Sequence, residues 1–262
     1  MPDPAATPPD PSATPTARLR IGCAGWSIAS VHKRRFGAGD SQLARYATRF
    51  DAVEINSSFY RPHRPDTWRR WRDSVPADFR FSVKLPRTLT HDQRLTAPGA
   101  GLDAFLSGAG LLGPTLGCLL VQLPPSLALA PRVAAAFFAA LRRRWPGQVA
   151  CEPRHPSWFD AGADALLARH RIARVAADPA RAPGADVPGG DPACRYWRWH
   201  GSPEIYVSAY DAAARRALVT AVAAGAAPGD ATWVIFDNTA RGAATPDALA
   251  VRTQLERRGR AP

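Results

Sequence analysis

Several things that most chains of this size carry are scarce or missing here. Lysine occurs only at Lys33 and Lys84, and asparagine only at Asn56 and Asn238, in a chain of 262 residues. The four cysteines, Cys23, Cys118, Cys151 and Cys194, form no C-x-x-C pair. Each lies in an apolar run, so they read as buried reduced thiols rather than as disulfides or a zinc site. No stretch approaches the roughly 20 apolar residues that cross a bilayer, and the N-terminus has neither a basic start nor an apolar leader core. The expectation is a cytoplasmic protein with no membrane partner. No glycine-rich phosphate fingerprint follows the first apolar run, which counts against a dinucleotide-binding open sheet.

What is present is positive charge and a core. Thirty-four Lys and Arg against 22 Asp and Glu give a formal net charge of +12, which raises an anionic partner, either a small polar or anionic ligand or a nucleic acid. With arginine, alanine and proline abundant and lysine nearly absent, much of the excess reads as solvated surface arginine. A hydrophobic content of 46% suffices for one sizeable core.

Residues 1–17, rich in Pro, Ala, Thr and Asp, are expected to be a disordered tail, with one domain over 18–262. From Arg18 onward, short β-like runs alternate with amphipathic stretches. Strands are predicted at Leu19–Gly25, Ala52–Ser57, Arg80–Leu85, Gly117–Leu123, Val149–Cys151, Ala173–Ala177, Arg195–His200 and Thr232–Phe236. Helices are predicted at Ser41–Arg49, Pro65–Ser74, Leu102–Ala109, Pro131–Arg144, Ala163–Arg169, Ala212–Ala224 and Pro246–Arg258, and Pro179–Pro192 is predicted as a loop. This alternation is that of a single α/β domain, a (β/α)8 TIM-type barrel with eight parallel strands.

In such a barrel the apolar positions of each strand face the helices and the alternate positions face inward. Val53 and Ile55 outward leave Glu54 and Asn56 inside. Phe81, Val83 and Leu85 leave Ser82 and Lys84, and Leu119, Val121 and Leu123 leave Gln122. The segment Val149–Phe159 breaks from a strand into Glu152-Pro-Arg154-His155-Pro-Ser-Trp158, with Glu152 and Arg154 inside. Asp178, then Tyr196, Arg198 and His200, then Asn238 complete the inward set. Residue types that this composition disfavours, Asn56, Asn238 and Lys84, thus fall at predicted strand ends.

The segments Ile21-Gly-Cys-Ala-Gly-Trp26, Val53-Glu-Ile-Asn-Ser-Ser-Phe-Tyr60, Phe81-Ser-Val-Lys-Leu-Pro86 with Thr90-His91, Gln122-Leu-Pro, Glu152-Pro-Arg-His155-Pro-Ser-Trp158, Arg198-Trp-His-Gly201 and Phe236-Asp-Asn-Thr239 resemble the YecE-like family, domain of unknown function seventy-two. The resemblance implies a TIM-type barrel of bacterial origin, distantly like sugar-isomerase and endonuclease barrels, with no established reaction. Two departures stand out: Asp237-Asn238 replaces the family's Asn-Asn, and the connection after strand six is short.

The expected chemistry is acid/base catalysis of isomerase or hydrolase type on a small polar, sugar-like or anionic substrate. Glu54, Lys84, Glu152 and His200 are the candidate catalytic groups: a carboxylate base, a cation for a developing enolate or alkoxide, and a proton shuttle. A carboxylate pair, Glu54 and Glu152, would equally serve hydrolysis. Substrate contacts are expected from Asn56, Gln122, Arg154, His155, Asp178, Arg198 and Asn238, from His91 closing over the pocket, and from Trp26, Tyr60 and Trp158 stacking on a ring. No cofactor is predicted. A divalent metal on Glu152, Asp178, His200 and Asp237 is the lesser alternative, since Arg154 and Lys84 compete for the same carboxylates. Other readings are a salt-bridge network that only fixes the barrel, a nucleic-acid-binding protein, and a metabolite-binding barrel without turnover.

Overall fold

A computed structural model describes residues 18–225 and 230–258; the predicted tail at 1–17 lies outside the described residues. Among the described residues ten short strands and seven α-helices follow in the order β1 Arg18–Cys23, α1 Gln42–Ala47, β2 Ala52–Ile55, α2 Pro65–Asp73, β3 Arg80–Lys84, α3 Gly99–Ala109, β4 Leu116–Gln122, α4 Pro131–Arg144, β5 Gln148–Glu152, α5 Ala161–Arg169, β6 Ala173–Arg174, β7 Ala176–Asp178, β8 Gly189–Gly190, β9 Cys194–Trp199, α6 Ala212–Ala224, β10 Ala231–Phe236 and α7 Ala244–Arg258. Local signals set the helix limits. Proline opens α2 and α4, where its missing N–H costs nothing. Asp160 and Asp211 cap α5 and α6 by accepting from Ala163 N and Ala214 N.

The strand pairing differs from the single eight-stranded parallel barrel expected from the sequence. It divides into a parallel sheet β1-β10-β9-β7 and a mixed sheet β2-β3-β4-β5-β6-β8, in which β8 runs antiparallel to β6. Two local causes are visible. Between β1 and β2 the Tyr46 hydroxyl takes the place of a ladder, accepting from Cys23 N (2.8 Å) and donating to Ala52 O (3.1 Å). Only a single bridge, Ala24 to Glu54, joins these strands beyond it. Gly22 permits this approach, since a Cβ there would stand 2.0 Å from Ala52 O. On the other side the predicted sixth strand breaks at Val175, so β6 pairs with β5 and β7 with β9. The loop predicted at Pro179–Pro192 contributes the two-residue β8.

The two sheets share one interior. Ala52, Cys118, Leu120, Ala150, Val175, Tyr196, Trp233 and Ile235, drawn from both, pack in a single buried cluster. The alternate positions, including Val53, Val83, Val121, Cys151, Trp197 and Phe236, pack against the helices. On β2, β3, β4, β5 and β9 the parity derived from the sequence is the parity of the fold; on β10 it is reversed, since Phe236 lies on the helix side. All four cysteines are free and buried, and burial pushes the Cys23 thiol up to about 12, which keeps it a thiol. Among the described residues no helix is long and apolar enough to cross a membrane.

Candidate functional site

Parallel strands bring their C-terminal ends to one side, and there the inward polar groups of both sheets meet. Arg198, at the end of β9, is the hub. Its guanidinium donates to Glu54 Oε1 (2.8 Å from Nη2) and Oε2 (3.0 Å from Nε), and to Glu152 Oε2 (3.0 Å from Nη1). Nη2 also stands 2.9 Å from Asp237 Oδ2. Arg198, Glu54 and Glu152 are almost fully buried. Tyr196 donates its hydroxyl to Glu54 Oε2 (2.9 Å) from below.

His200 stands between two carboxylates, its Nε2 3.0 Å from Glu152 Oε1 and its Nδ1 3.0 Å from Asp237 Oδ2. Gln122 Nε2 donates to Glu152 Oε2 (3.1 Å), and Arg154 Nε to Glu152 Oε1 (3.1 Å). Burial works against charge on Glu152, yet Arg154, Arg198 and His200 overcome it and hold the carboxyl well below the usual carboxylate range. Asp237 follows the same pattern: burial opposes its ionisation, while Arg198 and His200 prevail.

Lys84 stands apart from this network. It is 6% exposed, and its Nζ lies 4.0 Å from the centroid of the Phe59 ring. Among the described residues it forms no ion pair with a carboxylate. Burial, reinforced by Arg198 and opposed by Glu54, Glu152 and Asp237, brings its ammonium down to about 8. His91 packs edge-on against the same Phe59 ring with centroids 4.9 Å apart, and its Nδ1 engages Thr90 Oγ1 (2.9 Å). Burial and then the Lys84 charge hold its pKa below the ordinary imidazole value.

Eight of the expected residues therefore come together: Glu54, Asn56, Lys84, Gln122, Glu152, Arg154, Arg198 and His200, with His91 at the edge and Asn56 Nδ2 reaching Asp237 Oδ1 (3.4 Å). Six do not join them. Asn238 points behind β10, where its Nδ2 donates to Ser208 O (2.9 Å) and Asp247 Oδ2 (2.8 Å); Asp237 takes the inward place. Asp178 accepts from the Tyr210 hydroxyl (2.7 Å), and Tyr210 packs on Trp199 among the helix-facing aromatics, so the four-residue metal set is not assembled. Among the described residues no group of three or more His, Cys, Asp or Glu is arranged to hold a metal ion.

His155 caps the short turn after β5, its Nδ1 accepting from Ser157 N (3.2 Å). Trp158 is 1% exposed and donates Nε1 to Leu127 O (3.0 Å); beside it lies a cavity of about 490 Å³ that holds none of the clustered groups. Trp26 packs edge-on against Trp71 at 5.1 Å. Tyr60 lies on the surface beside Phe59, 77% exposed.

Tyr206, which no sequence pattern marked, lies over the site. Its ring packs edge-on against His200 at 5.7 Å, and its hydroxyl is a weak partner of Arg154 Nη2 at 3.5 Å. A hollow bounded by Glu152, Arg154, Pro179, His200 and Ile205 encloses about 10 Å³, room for one water.

Residues 20–262 match the family described as "Protein of unknown function DUF72". The chain belongs to the DUF72 family. Among curated relatives, this DUF72 chain is 32% identical over 146 residues to UPF0759 protein YecE of Escherichia coli K12, a match covering 55% of this chain and 51% of that protein. The matched region thus spans about half the length of the relative. Two solved DUF72 structures share the fold. EF0366 of Enterococcus faecalis V583 gives a TM-score of 0.75 at 21% identity, covering 91% of this chain and 95% of that one. TM1631 of Thermotoga maritima MSB8 gives 0.74 at 24% identity, covering 91% and 99%.

Proposed function

We propose that this DUF72 chain is a cytoplasmic enzyme whose two sheets act together as an opened (β/α)8-type barrel over residues 18–262. It performs acid/base chemistry of isomerase or hydrolase type on a small polar or anionic substrate at the strand ends. The observation that carries this reading is the unequal treatment of charge. Every carboxylate in the cup has at least one cationic partner within 3.1 Å, whereas Lys84 is buried with no carboxylate partner among the described residues. A network serving stability alone has no use for an unpaired buried cation, and an incoming carboxylate, phosphate or developing oxyanion would supply the missing charge.

The remaining roles follow from reach. His200, flanked by two ionised carboxylates that orient its ring, is the group placed to exchange a proton with a substrate. Arg154 borders the hollow and offers a second cation, and Asn56 and Gln122 offer neutral donors. A substrate that engages both Arg154 and Lys84 displaces the Tyr206 hydroxyl from its weak contact with Arg154.

Glu152→Gln tests the reading. Arg198 keeps Glu54 and Asp237 in this variant, so a native circular dichroism spectrum is expected. The thermal shift produced in the wild type by small hydroxy acids, sugars or sugar phosphates should disappear. A variant that keeps the ligand response but melts much earlier would reduce the cluster to a structural ion network.

A further inference from the structure

We infer that Lys84 is a nucleophile that captures the carbonyl carbon of a small aldehyde or ketone as an imine, at the point where it lies over Phe59 with no carboxylate among the described residues in ion-pair reach. The inference rests on the acid/base reading of the cup and names the substrate class: a carbonyl compound.

The geometry separates Lys84 from a structural lysine. An ammonium at the end of a strand, within a cup that holds Glu54, Glu152 and Asp237, would ordinarily settle on one of them. Instead Glu54 is taken by Arg198 and Tyr196, Glu152 by Arg198, Arg154, Gln122 and His200, and Asp237 by Arg198 and His200. Lys84 Nζ is left with the face of Phe59. The residue is buried but keeps 6% of its surface exposed, the opening through which a substrate would reach Nζ. Desolvation and a neighbouring guanidinium both favour the free amine, the two devices by which lysines are made nucleophilic, and burial with Arg198 brings this one down to about 8.

The step balances within the site. The neutral amine forms a C–N bond to the carbonyl carbon as the π pair moves to oxygen; the oxygen takes a proton and the attacking nitrogen, now cationic, gives one up, leaving the neutral carbinolamine. Donation of a second proton to that oxygen breaks the C–O bond, and water leaves with formation of the protonated imine. The net change is one carbonyl and one ammonium giving one iminium and one water, with no oxidant or reductant. His91, which shares the Phe59 ring with Lys84 and engages Thr90 through Nδ1, keeps Nε2 for these transfers. A carboxylate or His200 can then take a proton α to the iminium, whose positive nitrogen accepts the electrons.

The chain contains its own control, because its second lysine, Lys33, is exposed. The full chain is incubated with glycolaldehyde or pyruvate and sodium cyanoborohydride near neutral pH, and adducts are located by peptide mass mapping. Lys84 is expected to be reduced to the adduct at least about tenfold faster than Lys33, saturably with carbonyl concentration. Lys84→Arg, checked for fold by circular dichroism, should lose the fast adduct. Labelling of Lys84 no faster than that of Lys33 overturns the inference. If Lys84 goes unlabelled while Glu152→Gln still abolishes the ligand response, only the imine falls. If Glu152→Gln labels Lys84 at the wild-type rate and keeps the ligand response, the imine stands and the acid/base role of Glu152 falls.

Discussion

Two cations at the same strand ends have opposite fates. Arg198 is always charged, and its planar fork engages three carboxylates at once, so burying it is compensated. Lys84 is a point charge on a flexible stem with no such partners, and burial costs it proton affinity. This has a thermodynamic consequence. Above about pH 8 the folded Lys84 is neutral while the unfolded one stays protonated to about 10.5. Over that interval the unfolded chain binds more protons, and stability rises with pH on this account. Below about 8 both states are protonated and the full cost of the buried charge is felt. Lys84→Met removes the charge and keeps most of the volume. Its advantage over the wild type in urea denaturation should therefore be largest at pH 7 and shrink by on the order of 3 kcal/mol by about pH 10.5. A gap that does not change with pH would show that Lys84 is not the desolvated group described above. The same variant should lose ligand response at every pH.

At the level of strands and loops, what the sequence made legible was whatever depends on alternation and local capping. The helices Pro131–Arg144 and Ala212–Ala224 have the limits that their proline, aspartate and arginine signals indicate. The inward set on β2, β3, β4, β5 and β9 follows from which neighbours are apolar. The failures share a cause: where the strand ends, parity no longer carries. Phe236 faces the helices, so the next residue, Asp237, turns inward and Asn238 outward; the same alternation, carried one step further, would have found this. His155, Trp158 and Asp178 lie just at or beyond strand ends, where caps and loop contacts decide direction. Tyr206 was invisible because it comes from a loop with no period, held in a left-handed conformation with φ of 69°. Asn238 is then a fastener rather than a ligand-binding group. It ties the loop carbonyl of Ser208 to Asp247 of α7, which also accepts from Tyr210 N and Arg215 Nη1. Asn238→Ala should cost about 1–3 kcal/mol in thermal or chemical unfolding, as a buried amide network losing one member does, with ligand response retained. Loss of the ligand response in a variant of unchanged stability would return Asn238 to the site.

For the molecule as a whole, the ion cluster does what the strand ladders do not. The sheets meet through a tyrosine hydroxyl and the single Ala24–Glu54 bridge on one side and a break at Val175 on the other, while Arg198, from the sheet containing β1, grips Glu54 and Glu152 from the other sheet. The positive charge is a different matter, because part of it is engaged within the molecule. Arg72 pairs with Asp73 at the end of α2, Arg144 of α4 with Asp103, and Arg252 of α7 with Glu256. Arg142 spends its guanidinium on the carbonyls of His170, Arg171 and Gly147. Arginines held by carboxylates and carbonyls of the chain itself leave the net charge to act on polyanions mainly at long range. In fluorescence anisotropy, a short single-stranded oligonucleotide should therefore bind weakly at low salt and be released by roughly 150 mM salt, where the screening length falls to about 8 Å. It should not protect Lys84 from reductive labelling by pyruvate. Tight binding that persists at that ionic strength, with a steep dependence on salt, would move the function of this fold from its cup to its basic exterior.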